Sequence, residues 1–119
     1  MNDAPMIDRA VFAELQAATG HAFIIELVQT FSEEAPTLLR ELRQARQAGD
    51  AERFRRAAHS LKSNSSTFGA TRLAELARTL ELGGMPTGSA ALDTLDAEYA
   101  RTVAALTSLA RLDHGASGG

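Results

Sequence analysis

Apolar residues recur along this chain at helical spacing in five separate stretches, and the first four each run into a glycine. Val11, Phe12, Leu15 and Ala18 give one apolar side to a short helix from about Asp8 to Ala18. Asp8 is its expected N-cap and Thr19-Gly20 its end. A helix this short is marginal alone and must dock on something. The next stretch is long, roughly His21 to Ala48. Phe23, Ile24, Leu27, Val28, Phe31, Ala35, Leu38, Leu39 and Leu42 form one stripe. Glu26, Gln29, Glu33, Pro36, Arg40, Arg43 and Gln44 lie opposite, and Ile25 is an apolar residue on the wet side. Pro36 ordinarily argues for a break. Here it sits on the polar face and the apolar period continues through it in phase. The pattern therefore predicts one kinked helix with the Ser32 carbonyl freed toward solvent; two helices parting near Ala35 are the alternative.

Gly49-Asp50 closes that helix and caps the next, which runs from about Ala51 to Phe68 and ends at Gly69. A further helix from about Ala70 to Leu82 buries Leu73, Leu76, Ala77 and Leu80. Gly83 to Ser89 is a loop, having three glycines and a proline. The last helix runs from about Ala90 to Leu112, with Leu92, Leu95, Tyr99, Val103, Leu106 and Leu109 as its stripe. Four long amphipathic helices on short connections satisfy one another's apolar faces as an antiparallel four-helix bundle, and the short first helix covers one end. The expected class is all-α, with one domain over 8–113. Residues 1–7 are expected to be a flexible lead-in and 114–119 a flexible tail.

Composition narrows the chemistry. The 119 residues suffice for one core, and an Ala- and Leu-rich chain with one Tyr and no Trp favours helix over strand. There is no cysteine, which removes disulfides, thiolate metal sites and a cysteine nucleophile, and suits a reducing compartment. A formal charge of −3 argues against general nucleic-acid binding. No run of about 18 apolar residues is present, so no membrane insertion is expected. The N-terminus lacks the basic and apolar regions of a signal peptide. Gly83-Gly84 is not followed by the Lys-Ser/Thr of a phosphate loop. No His/Asp/Glu spacing suggests a metal site, no Glu-x-x-His diiron motif occurs, and the serines form no recognisable hydrolase triad. Glu33-Glu34 reads as solvated surface, and His21 and His114 as bystanders.

What stands out is the central helix. At about 100° per residue, Ala57, Ala58, Leu61, Ser65 and Phe68 fall within roughly 60° of Phe54, a narrow buried stripe. His59 lands roughly 140° away. Its helical neighbours are Arg55, Arg56, Lys62, Ser63 and Ser66, with no acid among them. An exposed imidazole alone is an ordinary solvated side chain. Three surrounding cations, however, repel its protonated form and should favour the neutral, nucleophilic ring. They would also meet a negatively charged adduct on its nitrogen. Ser63, one turn on, is small enough to let a bulky partner reach the ring.

At these residues the chain resembles histidine-containing phosphotransfer (HPt) domains of bacterial multistep phosphorelays. His59-x-Leu61-Lys62, then Ser65, then Phe68-Gly69-Ala70 matches the family pattern His-x-Leu-Lys-Gly-x-Ser-x-x-(Leu/Phe/Ile)-Gly-Ala at seven positions in order. Ser63 stands where the family usually has Gly. Elsewhere the resemblance is in helical layout, including a proline near the place of Pro36. It implies a phosphocarrier and not an enzyme with an ATP site. His59 would accept a phosphoryl group from a receiver-domain aspartate and pass it to another receiver, supported by Lys62, Ser63, Arg55, Arg56 and Ser66. The implied partners are response-regulator receiver domains and a hybrid sensor histidine kinase. This chain needs no cofactor; Mg²⁺, an acidic pocket and a catalytic Lys are expected on the receiver. A cytoplasmic monomer is expected. Met1 favours a free-standing protein, and the linker-like tail allows a cytoplasmic domain cut from a larger membrane sensor kinase. The competing class is a non-phosphorylated adaptor bundle that binds a partner through the same face. A histidine-kinase dimerisation core is a third reading, but it would normally precede an ATP-binding domain that this sequence does not contain.

Overall fold

Local capping sets where each helix begins and ends in this computed structural model, which describes residues 5–118, with side chains through residue 111. The Asp8 carboxylate accepts from the backbone N–H groups of Ala10 and Val11 at 3.1 and 3.3 Å and starts α1 (Arg9–Thr19). The chain turns by 119° at Gly20 into α2 (His21–Ala48). Gly49, at φ 71°, closes α2 by donating back to Ala45 and Arg46. Asp50 then caps α3 (Ala51–Thr67) through Arg53 N–H. Phe68, Gly69 and Ala70 lead into α4 (Thr71–Gly83), and a loop leads to α5 (Ala90–Gly118). No strand occurs among the described residues. α5 continues past the Leu112 end expected for it, through residues expected to form a flexible tail; Gly119 and residues 1–4 lie outside the described residues.

α2, α3, α4 and α5 close a ring in which each packs on the next and α5 returns to α2, while α1 lies against α2 and α3. The fold is an all-α antiparallel four-helix bundle with a short added N-terminal helix. Phe54, Leu61, Leu73, Leu92, Leu95 and Leu106 are wholly or almost wholly buried at its centre. Such burial contributes about 1.5–3 kcal/mol per large side chain. No single helix among the described residues is long and apolar enough to cross a membrane.

Pro36 lies inside α2, and the helix is continuous through it. Proline has no N–H to give the carbonyl four residues back. That carbonyl, on Ser32, is not released to water as the helical pattern suggested. The Tyr99 hydroxyl of α5 donates to it at 2.8 Å. Burial pushes the Tyr99 phenol up, so it keeps the proton it donates.

The start of α2 departs from its predicted stripe. Phe23 is 49% exposed, whereas Ile25 is half-buried against the core. α1 packs on α2 and gives it cover that a wheel drawn for α2 alone does not contain. The lead-in is likewise partly docked. Met6 and Ile7 are half-buried, and Asp8 N–H donates to the Gly69 carbonyl at 2.6 Å.

That last contact explains a glycine of the motif without any chemistry. Gly69 has φ 73°, and a Cβ there would stand 2.7 Å from the Asp8 carbonyl oxygen and 3.0 Å from Val11 Cβ. Gly69→Ala is therefore expected to cost about 2–3 kcal/mol, from left-handed strain and the clash together. A circular dichroism melt should show a loss of roughly 10 °C. An unchanged melt would mean that α1 does not press on this turn.

Candidate functional site

α3 presents its outer face because its inner one is fully committed. Phe54, Ala57, Ala58, Leu61 and Ser65 are buried, and their small members keep α3 close to the helices on either side. His59 is thereby turned outward, with its side chain 55% exposed. It lines an open groove between α2 and α3, with Ser63 and Asn64 beside it and Glu33, Glu34 and Leu38 on the opposite wall. Leu38 is half-buried against the core, so the groove has an apolar patch among polar walls.

The sequence pattern did not single out Glu81. It comes from α4 and is only 11% exposed. Its Oε2 lies 2.7 Å from His59 Nδ1 and its Oε1 lies 2.9 Å from Lys62 Nζ. Hydrogen bonds from Lys62 and then from His59 hold the Glu81 carboxyl below its usual range, against a smaller opposing effect of burial. An ionised carboxylate only accepts, so in this pair Nδ1 carries the proton. A neutral ring so held keeps its lone pair on Nε2. Because the folded-state value of Glu81 is depressed, its pairing contributes fully above the ordinary carboxylate range. That contribution is lost as pH falls through the depressed value.

The expected ring of uncompensated cations is not present. Arg55 pairs with Glu52 at 2.6 Å, Arg56 stands 3.8 Å from the same carboxylate, and Lys62 is held by Glu81. Glu52 lies a further turn back along α3 and Glu81 on another helix, so neither belongs to the immediate helical neighbours of His59. Glu33 and Glu34, read from sequence as solvated surface, are exposed, but both face the groove that holds His59. Of the other residues selected from the sequence, Ser63 lines the groove. Ser66 is exposed on the same helix and is not part of the groove lining. His21 is half-buried at the first residue of α2, and the side chain of His114 lies outside the described residues. No group of three or more His, Cys, Asp or Glu that could hold a metal occurs among the described residues.

The family model for the Hpt domain matches residues 26–105, which spans most of α2, all of α3 and α4, and α5 through Ala105. The chain belongs to the Hpt family. The crystal structure of histidine-containing phosphotransfer protein B (HptB) from Pseudomonas aeruginosa PAO1 is similar over 93% of this chain and 96% of that one. The two share 32% sequence identity and superpose with a TM-score of 0.71. No curated protein matches the chain. Membership makes this Hpt domain a histidine phosphotransfer component of phosphorelays, a phosphocarrier whose partners are receiver or kinase modules.

For such a carrier the Glu81 contact has a measurable consequence. Glu81→Ala leaves the His59 ring free to rotate and to place its proton on either nitrogen. Where transfer runs through this ring, its rate from a phosphorylated receiver is expected to fall about tenfold. Glu81→Gln retains an acceptor for Nδ1–H and should recover most of that loss. Nitrogen NMR of the ring is the second readout, since only the Ala variant should shift the tautomer balance. Equal rates in all three proteins would remove Glu81 from any part in positioning.

Proposed function

We propose that His59 is the phosphoryl acceptor and donor of this Hpt domain, and that it reacts through Nε2. The observation that carries the reading is the exposed ring with Nδ1 held at 2.7 Å by a carboxylate. In the forward step the Nε2 lone pair attacks the phosphorus of an aspartyl phosphate on a receiver domain. The P–O bond to the aspartate breaks and the aspartate leaves as carboxylate. The ring becomes cationic, and Glu81 faces the charge that develops. The reverse step, onto a second receiver, returns the neutral ring. Most of the acceleration in such a transfer comes from positioning and charge compensation. Lys62 supplies a cation beside the ring, Ser63 keeps the approach low, and Arg55, Arg56 and Ser66 act at longer range. Mg²⁺ and its acidic pocket belong to the receiver on this reading, and a hybrid sensor histidine kinase lies upstream. The Hpt domain works as a cytoplasmic monomer.

A two-receiver relay tests the proposal. One receiver domain is loaded with radiolabelled phosphoryl and freed of donor, then mixed with the Hpt domain and a second receiver. Label should pass to the Hpt domain without ATP and then to the second receiver. Tight binding of both receivers with no label ever reaching the Hpt domain would favour the adaptor reading.

A further inference from the structure

The groove that holds His59 has walls of unlike character. On the α2 side Glu33 and Glu34 are both exposed and both line it. Neither side chain is engaged in an ion pair or hydrogen bond among the described residues. Other acids of the bundle are engaged: Glu41 of α2 grips Arg53, Glu52 of α3 grips Arg55, and Glu81 of α4 grips Lys62. Two adjacent carboxylates without countercharge, standing across a groove from His59, oppose any anion that approaches the ring. A phosphoryl donor is an anion. A donor that reaches His59 readily must bring positive charge for that wall.

We propose that Glu33 and Glu34 form a charge-selective docking wall. It fits a receiver domain that carries Lys or Arg side chains flanking its phospho-aspartate, seated opposite α2. The inference rests on the reading of His59 as the carrier and adds to it the kind of receiver that is accepted. Receivers with neutral or acidic rims at that place are rejected by like-charge repulsion, and basic-rimmed ones are steered in. Leu38, on the same wall as the two carboxylates, gives the seated surface an apolar contact beside them.

The test uses the full chain with Glu33→Lys and Glu34→Lys combined. Both side chains are exposed, so the fold should be retained, which circular dichroism checks. The first probe is a panel of receiver domains loaded with acetyl phosphate. The second is phosphoramidate, a small donor with no docking surface that phosphorylates imidazole with loss of ammonia. For the receivers that load the wild type fastest, kcat/KM should fall at least tenfold in the variant, mainly through KM. The wild-type rate should drop with added salt, and the rate of the charge-reversed variant should rise with it. Phosphoramidate should load the variant at least as fast as the wild type, since two anions have gone from the approach. Exchanging Lys or Arg for Glu on the receiver rim should restore transfer to the variant. If the variant takes phosphoryl from those receivers as fast as the wild type, the docking wall is refuted while His59 stands as carrier. If His59 of the wild type takes phosphoryl from neither probe, the carrier reading fails and the docking wall with it.

Discussion

Ser63→Trp is expected to melt within a few degrees of the wild type and yet to lose most transfer from a phosphorylated receiver. Ser63 is exposed one turn beyond His59 and lines the same groove. It lies opposite the buried line of Phe54, Leu61 and Ser65, so an indole there has no packed neighbour to displace. Exposed substitutions of this kind usually change stability by no more than about 0.5 kcal/mol. Transfer is different, because phosphorus must come within bond-making distance of the ring. An interface that has to close that far cannot absorb an added bicyclic side chain. Ser63→Gly should transfer normally, at a helix-propensity cost of about 0.5 kcal/mol. Paired thermal melts and transfer rates decide the matter. A Trp variant that unfolds would show that this face is packed; one that folds and transfers normally would show that receivers approach by another route.

The helices themselves were legible because their signals are local. Asp8, Gly49, Asp50 and Gly69 sit at the ends that the apolar period predicts, and α2 runs from His21 to Ala48 as read. His59 was legible for the same reason: its exposure follows from the stripe of its own helix. What the pattern missed depends on register between helices. Tyr99 reaches the Ser32 carbonyl across 67 residues of chain, and no local rule connects the two. Glu81 sits roughly 80° around α4 from Leu73, at the edge of the buried stripe, where a wheel cannot tell a neighbour's flank from water. Only the antiparallel packing of α3 on α4 brings it to His59. The stripe read on α5 also omitted two buried polar residues. Thr102 donates to the Glu98 carbonyl at 2.7 Å, and Arg101 holds the Glu98 carboxylate at 3.0 Å. Both partners lie within one turn, so Thr102 is satisfied locally, while Glu98 keeps its other carboxylate oxygen buried without a partner.

His59→Gln is expected to abolish phosphoryl uptake while leaving the fold intact, because the ring is exposed and its removal opens no cavity in the core. Gln offers an amide of similar reach that can still contact Glu81, but it has no nucleophilic nitrogen. The most direct test is phosphorus and nitrogen NMR of the Hpt domain loaded by a phosphorylated receiver, run on the wild type and on His59→Gln. The wild type should show one phosphoramidate signal coupled to Nε2 of His59, with Nδ1 still bearing its proton toward Glu81, and the Gln variant should show none. Acid-labile phosphate retained by His59→Gln, or a wild-type signal assigned to Nδ1 or to another residue, would contradict this account.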